Sequence, residues 1–227
     1  MFPVQLSRRL LFYVSSMKKI FFLILLASIP LLFSACGKTL PSQIVPINSW
    51  SSISWTTIWT IDRSDFTGSL HTVLLALKNQ DFAILKQFVW PQGLRFSPYE
   101  YINTETDVIL DTQIVENAAT ISRSYVWWLS DGKWDPIDLW IGQYFENFVN
   151  DADYQNAPEV LYNQSSQRGN TTNNIAQVYT WKSWVEFYFS WFNPQYEGMD
   201  RKSLTLVFEK TNGQWYLIWV VHAAWTI

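Results

Sequence analysis

The stretch SLTLVFEKTNGQWYLIWVVHAAWTI, residues 203–227, predicts a long antiparallel β-hairpin. Leu204 and Leu206 fall on alternate positions and therefore share one face of the first strand. Asn212 and Gly213 form a strong two-residue turn signal, because both residue types tolerate the positive φ that a tight hairpin turn needs. The return strand continues to the end of the sequence, so a sheet is the main layer that we expect.

Further strands are predicted upstream of this hairpin. The segment WVEFYFSWF, residues 184–192, alternates as a strand does. The segment SRSYVWWLSDGKWDPID, residues 122–138, predicts a strand followed by a tight turn. DVILDTQIV, residues 107–115, has strand character from its β-branched side chains.

Three helices are predicted from apolar residues at helical spacing. SLHTVLLALKNQDFAILKQFV, residues 69–89, predicts two consecutive helices, with Asp81 as N-cap of the second. DLWIGQYFENFVND, residues 138–151, predicts a third helix with Asp138 as its cap. One face of this helix carries four apolar side chains: Ile141, Tyr144, Phe145 and Phe148.

This order of elements predicts the α+β class: an antiparallel bent sheet packed on N-terminal helices, in a single domain. It resembles the nuclear-transport-factor-like (cystatin-like) cone, in which a bent sheet wraps a long helix and leaves a pocket at its open end. The resemblance covers residues 69–227 and rests on element order without a diagnostic motif. It implies a cone-like domain whose pocket takes its polar groups from Arg95, Tyr99, Tyr144 and His222.

Residues 17–36, MKKIFFLILLASIPLLFSAC, have the pattern of a secretory signal: two lysines, an apolar run, and small residues before a Cys. The last four residues resemble the lipobox of bacterial lipoproteins, with Phe33 where Leu is usual. The resemblance implies cleavage before Cys36, lipidation of its thiol and acylation of the new amino terminus, which together make a stable membrane anchor. A transmembrane helix is the alternative. The apolar run Ile20–Ala35 is 16 residues long, which is shorter than the roughly 20 residues that span a bilayer core.

A second resemblance concerns three short segments: GLRFSPYEYI at 93–102, DADYQNAP at 151–158 and VVHAAWTI at 220–227. They are similar to a group of uncharacterised bacterial lipoproteins. That group implies no activity that carries over to this chain.

The sequence therefore predicts four parts. Residues 1–16 form an extension from a misplaced start codon, because Met17 opens a complete signal by itself. Residues 17–36 are the lipoprotein signal, residues 37–64 a flexible Ser/Thr-rich linker, and residues 65–227 the α+β domain. The predicted location is the extracytoplasmic face of the cell membrane.

The charge of the chain limits the classes of binding partner, and its cysteine content limits how the domain is stabilised. Cleavage before Cys36 removes four basic residues and no acid, so 16 basic and 19 acidic residues become 12 and 19, a net charge of −7. Such an acidic domain argues against binding nucleic acid or anionic lipid surfaces. Cys36 is the only cysteine, so no internal disulfide forms and the hydrophobic core must stabilise the domain.

Catalytic and metal motifs are weak in this sequence. The two histidines, His71 and His222, come without a nucleophile elbow or a zinc ligand set. Three carboxylates, Glu186, Asp151 and Asp153, are candidates for a paired acid site, but that signal is nonspecific. We expect no cofactor and no metal.

Arg95 in LRFSPYEY, residues 94–101, is the most specific candidate for ligand binding. Its guanidinium has the geometry to hold a carboxylate or phosphate, with Tyr99 and Tyr101 beside it. The alternative is a structural role, with Arg95 paired to an internal acid such as Asp107.

Tryptophan is unusually frequent and glycine unusually rare. The chain has 14 Trp and 8 Gly, whereas about 16 Gly are expected at ordinary usage. Several Trp stand where Gly is ordinary, in the linker or at predicted turns. We therefore hypothesise that five positions are glycines encoded by a reassigned UGA codon: Trp50, Trp55, Trp59, Trp134 and Trp191.

Three functions remain open from the sequence. The first is a lipid-anchored, non-enzymatic module that binds a ligand or an envelope partner. The second is a hydrolase-like enzyme using the cone pocket on a small or sugar-like substrate. The third is binding of carbohydrate or peptidoglycan through exposed aromatic rings.

Overall fold

The C-terminal hairpin forms the centre of the main sheet in the computed structural model, which describes residues 61–164, 168 and 171–225. Strand β7 spans Lys202–Thr211 and strand β8 spans Gln214–Ala224. The two turn residues have positive φ, 52° at Asn212 and 79° at Gly213, as a type I′ turn requires. The predicted hairpin is confirmed.

Six strands make the main sheet in the order β2-β1-β8-β7-β6-β5. The other four strands of this sheet are β1 Leu94–Ser97, β2 Val108–Leu110, β5 Glu159–Tyr162 and β6 Ser183–Phe189. All neighbours are antiparallel except β1 and β8, which run parallel. A parallel pair needs a long crossover, and the chain between β1 and β8 supplies one. The α+β class is confirmed, with a mixed sheet instead of the fully antiparallel one expected.

A separate two-stranded sheet pairs β3, Ser124–Leu129, with β4, Pro136–Trp140. Asp138 lies in β4 opposite Val126, so its predicted role as a helix cap is wrong. The third helix begins only after β4: α4 spans Ile141–Tyr144 and continues as a π-helix over Phe145–Val149.

The two N-terminal helices each begin at an Asp N-cap, whose side chain accepts a backbone hydrogen bond. Helix α1 spans Phe66–Lys78, and Asp65 accepts from the Gly68 N–H at 2.6 Å. Helix α2 spans Phe82–Leu85, followed by a 3₁₀ turn over Lys86–Phe88. Asp81 accepts from the Ile84 N–H at 3.0 Å, which confirms the predicted N-cap.

The remaining helical segments are short. Part of the segment predicted as a strand after β2 is helical instead: α3 spans Thr112–Glu116. Its N-cap Asp111 accepts from the Ile114 N–H at 2.8 Å, and this local bond ends the strand. The others are α5 Ile175–Val178 and the 3₁₀ turns Tyr154–Asn156 and Pro194–Tyr196.

The main sheet is covered on both faces. On the inner face, Val185, Leu204 and Leu206 pack in the larger core with Val73 and Leu77 of α1. The outer face packs against loop residues in a second cluster, whose buried members are Ile102, Ile175, Trp184, Val207, Ile218, Trp219 and Val221. Side chains alternate between these faces along each strand, which explains why β7 is buried along most of its length.

The chain enters this domain at the turn end of the hairpin. The Trp215 N–H donates to the Arg63 carbonyl at 2.8 Å, and Lys210 Nζ donates to the Ser64 carbonyl at 3.2 Å. Strand β7 has 10 residues, which at about 3.3 Å each span roughly 30 Å. Lys202 at the start of β7 is therefore far from the point of entry.

The described tryptophans range from fully buried to strongly exposed. Trp127 and Trp219 are buried in the two cores. Trp134 is 75% exposed and has a φ of 61°, the left-handed conformation that glycine adopts without steric cost and tryptophan does not. Trp191 is also exposed.

Several predictions concern residues outside the described part of the chain. They are the extension 1–16, the signal, Cys36, and the linker as far as residue 60, with Trp50, Trp55 and Trp59. Among residues 61–164, 168 and 171–225, no helix combines the length and hydrophobicity of a membrane span.

Candidate functional site

Arg95 lies on the outer face of the sheet. It pairs in register with Trp219, and its guanidinium carbon is 4.6 Å from the centre of a Trp219 ring. Arg95 donates to the Thr104 carbonyl at 2.6 Å. Burial raises the pKa of Asp107 to about 6, although hydrogen bonds from Ser97 and Asn103 and the charge of Arg95 act to lower it. The Arg95 guanidinium is thus held by the loop that follows β1, through its hydrogen bond to Thr104.

Tyr99 lies in the loop after β1, where its hydroxyl accepts a hydrogen bond from the Asp131 N–H at 3.0 Å. Burial raises the pKa of this tyrosine. The contact ties the loop to the turn between β3 and β4, which is a structural use of the hydroxyl.

Tyr144 and His222 lie on the inner side, and Phe148 joins them. The Tyr144 and Phe148 ring centres are 5.0 Å apart, and those of Phe148 and His222 are 5.3 Å apart. Tyr144 is buried and stacks on Trp127 at 3.8 Å. The structure therefore brings Tyr144 and His222 near each other and places Arg95 on the opposite face, so the four residues do not surround one pocket. Their binding role stays a prediction.

His222 belongs to a buried network that we call the inner cluster: His222, Asp151, Lys202 and Tyr154. His222 Nε2 lies 3.2 Å from Asp151 Oδ2, and Lys202 Nζ lies 2.8 Å from the same oxygen. The Tyr154 hydroxyl donates to Asp151 Oδ1 at 2.8 Å. Burial alone would raise the pKa of Asp151, but hydrogen bonding and charge from His222, with Lys202 and Tyr154, lower it to about 2.

Both ring nitrogens of His222 face oxygen atoms. Nδ1 lies 2.9 Å from the Pro98 carbonyl, and Nε2 faces Asp151. A carbonyl and a carboxylate both accept hydrogen bonds, so a doubly protonated ring satisfies both contacts. The side chain is only 5% exposed. His222 therefore links β8 to the loop after β1 and to the segment that follows the π-helix.

A second buried network lies on the outer face, and we call it the outer cluster: Glu100, Glu186, Arg168 and Arg201. Arg201 Nη2 donates to the Arg168 carbonyl at 2.9 Å, and Arg168 Nη2 lies 3.9 Å from Glu186 Oε2. Burial raises the pKa of Glu100 to about 7, against the opposing charge of Arg201 and a hydrogen bond from Thr171. Arg201 is 5% exposed, and its Nη1 has no hydrogen-bond partner among the described residues.

A cleft of about 360 Å³ opens where β7 begins and β8 ends. We call it the sheet-end cleft, and six of its lining residues matter here: Asp151, Phe192, Asp200, Arg201, Lys202 and Trp225. Its volume is in the lower part of the range of small-molecule sites. A second space, between α1 and residues 149–155, is only about 10 Å³ and holds at most one water.

The start of β7 explains how the cleft connects to both clusters. Arg201 directly precedes β7 and Lys202 begins it, so in the extended chain their side chains turn to opposite sides of the sheet. Arg201 reaches the outer cluster and Lys202 the inner one. Both residues also line the sheet-end cleft, which therefore presents one cation from each buried network.

The three carboxylates considered for a paired acid site do not meet. Asp151 is in the inner cluster, and Glu186 pairs with Arg168 in the outer one. Asp153 is exposed in an ion pair with Lys78. Among the described residues there is no group of three or more His, Cys, Asp or Glu side chains arranged to hold a metal.

Sequence reasoning did not identify Asp200, Arg201, Lys202 or Trp225 as site residues. Charged residues next to a predicted strand are ordinary, so no local signal marked them. Their position at the start of a buried strand is a weak signal of a site, because a charged side chain buried there needs a partner in the folded domain.

Comparison with known proteins identifies no family. No protein-family model matches the chain, and no curated protein matches it. Among solved structures, a DUF4783 family protein from Bacteroides ovatus matches at 10% identity with a TM-score of 0.31, over 67% of this chain and 92% of that one. An NTF2-like designed protein matches at 14% identity with a TM-score of 0.30, over 71% and 100% of the two chains.

A third chain, from Xanthomonas campestris and assigned as a calcium/calmodulin dependent protein kinase II association domain, matches at 16% identity and a TM-score of 0.29. It covers 70% of this chain and 84% of its own. With TM-scores below 0.5 these likenesses carry no argument, and the α+β assignment rests on the chain's own sheet and helices.

Proposed function

We propose that this protein is a lipid-anchored, extracytoplasmic binding module that holds a small ligand in the sheet-end cleft. The observation that carries the proposal is the unpartnered Nη1 of Arg201, a buried residue that lines a cleft with exposed aromatic side chains. A buried donor without a partner is costly, and a bound molecule that accepts its hydrogen bond removes that cost.

The position of the cleft suits an anchored receptor. The chain enters the domain beside the hairpin turn, where Ser64 contacts Lys210. The sheet-end cleft lies at the other end of β7 and β8. An anchor upstream of residue 61 therefore attaches at the end of the domain that does not carry the cleft.

Contacts of His222 favour binding over catalysis. General acid or base catalysis needs a ring nitrogen within reach of the substrate. Both nitrogens of His222 face protein oxygens, and the side chain is 5% exposed. The enzyme alternative rests on the same His222–Asp151 pair because Asp151 borders the cleft. Substitution of His222 by Gln separates the two: an enzyme loses turnover, whereas a binding module keeps ligand affinity in the fraction that folds.

The anchor is tested by metabolic labelling with an alkyne analogue of palmitate in a bacterium that expresses the full chain. We expect the wild type to be labelled and to sediment with membranes. Cys36→Ser should lose the label, and Ser34→Ala, which keeps a small residue before the cysteine, should retain it. An unlabelled wild type contradicts the lipoprotein proposal.

Binding is tested by ¹⁵N NMR on the purified full chain in dodecyldimethylamine oxide micelles, a detergent without a sugar headgroup. The probes are neutral disaccharides, dicarboxylates and dipeptides at millimolar concentration. We expect one probe class to shift the amide signals of residues 192, 200–202 and 225. Lys202→Gln should weaken that response several-fold, and Lys210→Gln, a matched change at the far end of β7, should not. No response at the cleft from any probe class contradicts the proposal.

A further inference from the structure

We infer that the ligand of the sheet-end cleft is a neutral saccharide of one or two rings. This inference rests on the proposed function of the cleft and names the chemical class of its ligand. Three features of the lining carry it: balanced charge, an unpartnered acceptor and an unpartnered donor on consecutive lining residues, and exposed aromatic side chains.

The charge of the lining is balanced. Asp151 and Asp200 supply two negative charges, and Arg201 and Lys202 supply two positive charges. An anionic ligand meets the two carboxylates as well as the cations, and a cationic ligand meets the reverse. A neutral ligand with many hydrogen-bonding groups avoids both conflicts.

The free hydrogen-bonding atoms come as an acceptor and a donor on consecutive residues. Asp200 Oδ2 accepts from the Phe192 and Asn193 N–H groups at 3.1 and 2.7 Å. Its Oδ1, like Arg201 Nη1, is buried without a partner among the described residues. Each side chain thus uses one polar atom to hold its position and keeps the other unpartnered and covered, in a residue that lines the cleft.

Hydroxyl groups match this pair. A hydroxyl both donates and accepts, so a sugar whose hydroxyls reach these covered atoms can donate to Asp200 and accept from Arg201. An ionised carboxylate only accepts and satisfies Arg201 alone, and an ammonium group only donates and satisfies Asp200 alone.

Two aromatic side chains supply apolar contact. Phe192 is 48% and Trp225 is 40% exposed, although both line the cleft. Phe192 stacks on Phe189 with ring centres 5.0 Å apart, and the Arg201 guanidinium lies 5.2 Å from a Trp225 ring centre. These contacts fix the rings, whose flat faces complement the C–H face of a pyranose. A cleft of about 360 Å³ limits the ligand to a small one.

The experiment titrates the full chain in the same micelles with cellobiose and with di-N-acetylchitobiose, and follows tryptophan fluorescence and ¹⁵N NMR shifts. Inorganic phosphate and putrescine serve as the anionic and cationic probes. We expect saturable binding of at least one disaccharide at the cleft signals, and none of either charged probe there. Trp225→Ala and Asp200→Asn should each weaken the disaccharide at least tenfold, and Trp225→Phe should restore most of the affinity.

Trp181→Ala is the matched control, because Trp181 is 93% exposed but precedes β6, away from the cleft. It should leave the affinity unchanged. Equal affinity of wild type and Trp225→Ala, or no disaccharide response at the cleft, overturns the saccharide inference. Phosphate, putrescine or a dipeptide bound at the cleft in place of a sugar overturns the ligand class and leaves the binding module intact. Absence of every probe from the cleft overturns both.

Discussion

Removing the charge of Asp151 should make part of the folding stability independent of pH. Asp151 is the shared partner of His222, Lys202 and Tyr154 in the inner cluster. Asp151→Asn keeps the size of the side chain and removes its negative charge. The variant therefore tests whether this carboxylate stabilises the end of the sheet next to the cleft.

The size of the effect follows from proton linkage. Contacts in the folded state lower the pKa of Asp151 from 3.8 to about 2. A carboxyl whose pKa is lowered on folding stabilises the protein above its unfolded pKa and loses that contribution as pH falls towards the folded value. At 1.36 kcal/mol per pKa unit the contribution is about 2 kcal/mol above pH 5, and it decreases to about 1 kcal/mol at pH 3. The side chain is only 10% exposed, so solvent screening removes little of it.

The measurement is urea unfolding of the full chain between pH 3 and 7, followed by circular dichroism. We expect the free energy of unfolding of Asp151→Asn to be lower than that of the wild type by about 2 kcal/mol at pH 7. The difference should shrink by about half at pH 3. Asp153→Asn is the control, because that carboxylate pairs with Lys78 at the surface and such pairs contribute at most about 1 kcal/mol.

Two results refute this reasoning. One is a variant as stable as the wild type at pH 7, which would mean that burial cancels the attraction of the partners. The other is a difference in stability that is the same at pH 3 and pH 7, which would mean that the loss comes from packing and not from charge.

Three further predictions use single substitutions and the same unfolding assay. Folding raises the pKa of Glu100 from 4.5 to about 7, so the wild type should lose about 3 kcal/mol of stability as pH rises from 5 to above 7 and the group ionises. Glu100→Gln cannot ionise, so the free energy of unfolding of this variant should not show that loss. The same pH dependence in the variant and the wild type contradicts the prediction. Trp134→Gly should raise the free energy of unfolding by about 1 kcal/mol, because Trp134 is exposed at a φ of 61° and a residue with a Cβ is strained there. Trp191→Gly is the control, because Trp191 is exposed without a positive φ and its replacement should bring no such gain. Leu206 is fully buried in the larger core, so Leu206→Ala should lower the free energy of unfolding by about 3 kcal/mol. A loss below about 1 kcal/mol contradicts this, because it would mean that neighbouring side chains repack into the cavity.

Trp134 also bears on the hypothesis of a reassigned codon. Its positive φ is the conformation that the turn was expected to require of glycine. The coding DNA tests the hypothesis directly: UGA at the five named positions supports it, and UGG there contradicts it. The buried Trp127 and Trp219 should be encoded by UGG, because a glycine at either site would leave a large cavity.

Short-range chemistry was readable from the sequence. The turn at Asn212-Gly213 and the N-cap at Asp81 depend on residues within four positions of each other. The alternation in residues 184–192 predicted β6 for the same reason. Asp138 shows the limit of such signals, because a cap residue and a strand residue before a helix look alike until the strand finds its partner.

Long-range pairings decided the rest. The parallel contact of β1 with β8 depends on how the intervening chain crosses the sheet. Tyr144 and His222 were expected to share a pocket with Arg95, but strand alternation sends Arg95 to the other face.

The sequence by itself therefore determined the α+β class, the central hairpin and the start of α2, since each of these depends on neighbouring residues and on the periodicity of apolar side chains. Only the tertiary structure brought Asp151 to His222, across 71 positions of sequence, and placed Arg201 and Lys202 at one cleft. Charges far apart in sequence come together because the domain must pair each charge that it buries, and the choice of partner depends on the folded shape.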